Sequence, residues 1–207
     1  MARTLLFDRP PPAPGRDGAC ARAVCPLPLA SFMHATRLMV GAVAGFVATV
    51  PMTAVMLTLH RHALPAHQRY PLPPRRITMR AAGKAHLRHR MDATDRTAAT
   101  YLAHFGYGTA AGAVYGALAP RVPGPPVIKG TTYGLLVWAG SYLGLLPALG
   151  LHRPATREPD ERNALMILAH VVWGATLGVL SDSLAAVRQR GAGPRAAIHR
   201  LRAVGVR

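Results

Sequence analysis

Residues 38–59 read LMVGAVAGFVATVPMTAVMLTL, and no formally charged side chain falls between Arg37 and Arg61. At about 1.5 Å of rise per residue, such a stretch can cross a hydrocarbon core about 30 Å thick. It lacks the polar face that a helix with one side in water requires. Three further windows share this character: TAATYLAHFGYGTAAGAVYGALAP at 97–120, GTTYGLLVWAGSYLGLLPALGL at 130–151, and NALMILAHVVWGATLGVLS from Asn163 to Ser181. The reading that follows is an all-α membrane protein. Four transmembrane helices, over about 38–59, 97–120, 130–151 and 163–183, pack as a glycine-rich bundle. The alternative is a soluble bundle of four buried helices, which in a chain this short leaves nothing to face water.

Composition agrees with that reading. The 207 residues are 50% apolar, yet Lys and Arg number 25 against 8 Asp and Glu, a formal charge of +17. Such a balance fits a nucleic-acid binder or a membrane protein with Arg-rich loops, and the four uncharged windows decide for the second. No aromatic interleaving or nucleic-acid motif accompanies the basic residues, so no nucleic-acid partner is expected. The two cysteines, Cys20 and Cys25, form neither a disulfide framework nor a zinc pattern. No metal, no catalytic residues and no resident cofactor are expected, because no nucleophile–base arrangement or phosphate loop is visible.

Outside the windows, residues 1–36 form a Pro/Arg-rich tail expected to be disordered, and 188–207 a basic C-terminal tail. The membrane domain therefore covers 37–187, with a long loop at 60–96. Within that loop, ITMRAAGKAHLRHRM (77–91) reads as a short basic helix. Arg76, Arg80, Lys84 and Arg88 recur every four residues along one face, where an anionic lipid surface would offset their mutual repulsion. They are the candidate lipid-contacting residues; a solvated basic loop is the plainer alternative. Lys and Arg number 13 on the side of the N-terminal tail and 12 on the other, so the positive-inside rule does not choose a topology.

The second and fourth windows repeat one another. DRTAATYLAHFGYGTAAG from Asp95 aligns with ERNALMILAHVVWGATLG from Glu161 at a constant offset of 66. The repeat implies two helix pairs of the same build. The first and third windows share only GxxxG, at Gly41/Gly45 and Gly130/Gly134. Further glycines four apart, Gly108/Gly112/Gly116, Gly140/Gly144 and Gly174/Gly178, suit close helix contact and equally a homo-oligomer. Pro51 is expected to kink the first helix. The repeat also sets His104 and His170 at matching depth. Intramembrane histidines are costly and often functional. Three roles stand open for them: a bis-histidine haem site with room left by neighbouring glycines, a proton relay, or neutral imidazoles hydrogen-bonded within the bundle. Trp138 and Trp173 sit away from the window edges and need internal partners for their indole N–H groups.

Four segments, AGFVATVPMT (44–53), YPLPPR (70–75), SYLGLLPALGL (141–151) and RNALMILAHVVWG (162–174), make the chain resemble the YagU-like group of uncharacterised bacterial inner-membrane proteins. The resemblance covers roughly residues 38–185. It implies a small multi-pass protein of the bacterial inner (plasma) membrane with a link to acid tolerance; the expectation overall is a non-enzymatic protein in envelope or acid-stress physiology. The resemblance brings no catalytic residues. The rival expectation is a small haem-binding or proton-handling membrane protein using His104 and His170.

Overall fold

The computed structural model describes residues 27–204, and side-chain surroundings for 34–188 and Arg190. Among the described residues the chain is helical, with no strand. Helix α1 runs Leu27–His62 and α2 Pro73–Lys84. Helix α3 is Ala93–Leu118 and α4 Pro126–Ala139. A π-helical stretch, Gly140–Leu145, carries α4 into the single turn α5, Leu146–Ala148. Helix α6 runs Asp160–Val204. Two boundaries differ from the sequence reading. Residues 27–36 already belong to α1, and 188–204 continue α6, where low-order tails were expected. The expected disorder of 1–26 lies outside the described residues.

Local chemistry accounts for the starts and stops. Asp92 caps α3, accepting from the Asp95 N–H while the Asp95 carboxylate accepts from the Asp92 N–H. Pro73 and Pro74 occupy the first turn of α2, where a missing N–H costs nothing. That helix ends at Lys84, and His86 then turns at φ 57°. Arg88 lies beyond it, in a separate 3-10 turn, so the expected four-residue stripe is a stripe of three. Pro51 sits inside α1 and withdraws the N–H that the Val47 carbonyl would otherwise accept from.

The bundle is two packed pairs, α1 with α3 and α4 with α6, joined along α1 and α6. Each pair is a glycine seam. A Cβ added at Gly45 would lie 2.8 Å from the Gly112 Cα, and one at Gly130 would lie 2.9 Å from the Gly178 Cα. No side chain fits there, so the backbones meet directly. Gly108 and Gly174 take equivalent places, as the offset of 66 anticipates. The partner helices do not align as expected. Gly45 in the first pair corresponds to Gly130 in the second, and Thr49 to Gly134, because these positions face Gly108/Gly112 and Gly174/Gly178. Matching the GxxxG strings by eye is therefore wrong by one helical turn. Register is set by which backbone approaches which. Gly140 and Gly144 pack against nothing within 4 Å, so the ridge expected there makes no contact in the monomer.

Among the described residues two stretches, His34–His62 and Asp160–Arg188, are long and apolar enough to cross a membrane. Helix α3 is long but diluted by Thr, Tyr, His and Gly, and α4 has only 14 residues before the π-helical stretch.

Candidate functional site

Helices α1 and α6 touch along the middle of the bundle. Their symmetry counterparts α3 and α4 barely meet. Tyrosine hydroxyls bridge that second seam. The Tyr133 hydroxyl donates to the Ala111 carbonyl at 2.8 Å, and the Tyr107 hydroxyl is hydrogen-bonded to the Ser141 hydroxyl at 2.7 Å. Opposite, the Trp173 indole N–H donates to the Gly45 carbonyl at 3.3 Å and ties α6 to α1. The unequal seams leave a cavity of about 310 Å³ on the α2 side of the bundle. Pro74, Ile77 and Thr78 of α2 cover it, and Leu146, Leu149 and Leu151 close its flank.

His104 and His170 both line this one cavity, as their matching depth in the repeat suggests. Their surroundings differ. His170 is buried, and its Nδ1 lies 2.7 Å from the Met166 carbonyl of the preceding turn. A carbonyl only accepts, so Nδ1 carries the proton and Nε2 is left as an acceptor. The Nε2 of His104 is buried without a partner. A bond from its neighbour Tyr107 does not form, because Tyr107 is used by Ser141. Of the glycines near the histidines, Gly106 has open space beside it, whereas Gly108 and Gly174 do not. The open faces of Gly108 and Gly174 are taken by Thr49 and by Gly130 and Gly134. Trp138 keeps its indole N–H buried and unpaired, whereas Trp173 is satisfied.

From the cavity a set of aromatic rings leads toward the α2 end. Tyr142 meets His170 edge-on at 6.0 Å and His152 edge-on at 5.5 Å. His152 is buried, and its Nδ1 donates to the Arg153 carbonyl at 2.7 Å. Burial pushes its imidazole below the ordinary histidine range. Beyond it lies a buried carboxylate. Glu158, 5% exposed, pairs with Arg76 at 3.2 Å and Arg153 at 3.3 Å, with Arg162 at 3.8 Å. The Tyr70 hydroxyl donates to it at 2.9 Å. Burial alone would raise the Glu158 carboxyl. The Tyr70 hydrogen bond and the Arg76 charge outweigh it and hold the carboxyl below the usual range. The same hydrogen bond, after burial, pushes the Tyr70 phenol up.

Arg162 is the second centre of this end. Its guanidinium stacks 3.8 Å above the Tyr70 ring and donates to the carbonyls of Gln68, Tyr70 and Pro71. It thus stitches the YPLPPR segment onto the start of α6. Neither Glu158 nor Arg162 stands out as a site residue in the sequence, although the Glu161–Arg162 pair heads the second copy of the repeat. The candidate lipid-contacting residues turn partly inward. Arg76 is spent on Glu158, Arg80 donates to the Leu151 carbonyl at 3.5 Å, and Lys84 to the Leu149 carbonyl at 2.7 Å. Among the described residues, no group of three or more His, Cys, Asp or Glu could hold a metal ion.

The chain belongs to a family of unknown function, DUF6789, whose model matches residues 35–191. That range contains every segment on which the resemblance to an uncharacterised group was read, and it covers the seams, the cavity and the Glu158 network together. No curated protein and no solved structure matches the chain.

Proposed function

We propose that this chain is a four-span, multi-pass protein of a bacterial inner membrane, akin to the YagU-like group, and that it binds a ligand rather than catalysing a reaction. One observation carries the membrane reading. Large apolar side chains face outward on all four long elements: Met39 is 65% exposed, Leu102 77%, Leu136 64% and Leu168 46%. Withdrawing each such side chain from water stabilises by roughly 1.5–3 kcal/mol, and a bilayer supplies that for α3 and α4 as well as for α1 and α6. The short α4 reaches across by continuing through the π-helical stretch into α5. The α2 end, with Arg80, Lys84 and Arg153, then sits at an interface where anionic headgroups are available. A role in envelope or acid-stress physiology is consistent with this placement.

Single cysteines placed at Leu57, Leu102, Leu136 and Leu168 in a cysteine-free background test it. Shielding of all four from a membrane-impermeant maleimide, in vesicles of either orientation, is expected. Labelling of Leu102→Cys and Leu136→Cys in intact vesicles would leave only α1 and α6 in the bilayer.

A second reading, proton handling, is favoured by His104 and His170 lining one cavity, with the His170 Nε2 left as an acceptor. Proton flux into liposomes should then fall when His170 becomes Ala, and unchanged flux removes the idea.

A further inference from the structure

We infer that the cavity between α3 and α4 holds the hydroxyl head of an uncharged, single-chain amphiphile that enters sideways from the bilayer. The inference rests on the membrane reading above. Three features of the cavity define the ligand. The first is charge. Among the described residues no Asp, Glu, Lys or Arg lines the cavity, so a carboxylate, phosphate or ammonium placed there would lose its hydration without a counter-ion. The head is therefore neutral.

The second feature is hydrogen-bond polarity. The Nδ1 proton of His170 is committed to the Met166 carbonyl, so the nitrogen that ring has left for the cavity only accepts. A ligand carbonyl or ether cannot satisfy it, and a hydroxyl can. The same hydroxyl oxygen has lone pairs for a donor. The buried, unpartnered Nε2 of His104 and the paired hydroxyls of Tyr107 and Ser141 stand on the same walls. A buried polar atom without a partner in a native fold calls for an explanation, and a bound hydroxyl group supplies one.

The third feature is the way in. The lining residues between α3 and the π-helical stretch are exposed: Tyr107 is 48% exposed and Leu145 50%. On the membrane reading both residues lie within spans, so this margin faces lipid. A ligand arriving through it comes from lipid and leaves its tail there. A volume of about 310 Å³ is at the small end for ligand pockets, enough for a head group and the first part of one chain but not for a second. The chemistry is shared by aliphatic and isoprenoid alcohols on one hand and alkylated phenols on the other.

The test uses the full chain in nanodiscs with a diazirine-bearing hexadecanol as probe. Labelling of peptides within 103–111 or 137–146, displaced by plain hexadecanol or by a pentadecylphenol, is the expected result. Preference between these two competitors separates the aliphatic source from the phenolic one. Palmitate and hexadecylamine should compete at least about tenfold more weakly, since each brings a charge. His170→Phe removes the acceptor, and Ala103→Phe narrows the entrance from an exposed position without entering the packed core. Each should lower labelling by about tenfold. Equal competition by palmitate, labelling outside the cavity, or labelling indifferent to both variants overturns the inference. Each sample is also extracted with alkaline carbonate. Protein that stays in the membrane yet takes no probe sinks the ligand alone, whereas protein released by carbonate sinks the membrane reading beneath it.

Discussion

Gly45 of α1 and Gly112 of α3 cross with their backbones in contact: a Cβ built on Gly112 would stand 2.7 Å from the Gly45 Cα and 3.0 Å from its nitrogen. No real Cβ is tolerated there, and the obstacle is backbone, which cannot rotate aside. Gly112→Ala should therefore push α1 and α3 apart and destabilise the fold by roughly 1–3 kcal/mol, as overpacking does. Gly106→Ala, on the same helix with nothing within 4 Å, should be neutral or stabilising by up to about 1 kcal/mol. Thermal unfolding in detergent, read by circular dichroism, gives the pair of values. Equal destabilisation by both substitutions would remove the seam from the account.

The second seam offers the same experiment on the other half of the repeat. A Cβ at Gly174 would strike the Gly130 carbonyl, 2.9 Å from its carbon, and stand 3.1 Å from the Gly134 Cα, an obstacle of backbone as at Gly112. Gly174→Ala should thus destabilise in the same direction and by a similar amount, roughly 1–3 kcal/mol. The measurement that decides is the difference between the two unfolding midpoints under one detergent condition.

Glu158 gives the α2 end a pH dependence with a fixed sign. Its carboxyl is held below its ordinary value near 4.5 despite burial, by the Tyr70 hydroxyl and by Arg76. A folded-state value below the unfolded one means the native state favours the ionised form. The stabilisation is present above the unfolded value and is lost as pH falls through the folded one. Unfolding midpoints should hold from neutral pH to about 5 and drop below 4. Glu158→Gln should flatten this acid limb while destabilising at neutral pH, because three arginines lose their shared counter-ion. An acid limb that survives the substitution would assign the effect elsewhere.

Much of this arrangement was legible in the sequence, and the reasons it stopped being so are local. Uncharged windows announce helices because burying a charge is costly whatever surrounds the helix. The offset of 66 placed Gly108 with Gly174 and His104 with His170 because both copies keep one seam and one depth. The partner register was not legible: Gly45 answers Gly130 through backbone approach, and the strings around them offer a second GxxxG match one turn away. The Arg162 network was hidden for a different reason. Its acceptors, the carbonyls of Gln68, Tyr70 and Pro71, are backbone atoms more than ninety residues away, which no residue pattern encodes. The π-helical stretch from Gly140 turns Ser141 and Tyr142 inward and leaves Gly144 outward, and an α-helical count through it misplaces both.

The basic stripe of α2 separates into two kinds of residue, and mutation should separate them too. Arg76 is 19% exposed and bonded to the buried Glu158, so Arg76→Gln leaves a carboxylate short of one partner. A loss of about 1–3 kcal/mol is expected, below the full cost of stripping a buried pair because Arg153 and Arg162 remain. Arg80 and Lys84 reach only the carbonyls of Leu151 and Leu149 at exposed positions, so Arg80→Gln and Lys84→Gln should each change stability by less than about 1 kcal/mol. If anionic headgroups gather at this end, these two substitutions should instead reduce copurifying anionic phospholipid, measured by mass spectrometry, while Arg76→Gln should not beyond its effect on folding. Loss of lipid with Arg76→Gln alone would mean that the Glu158 network, rather than the outer basic residues, is what the headgroups sense.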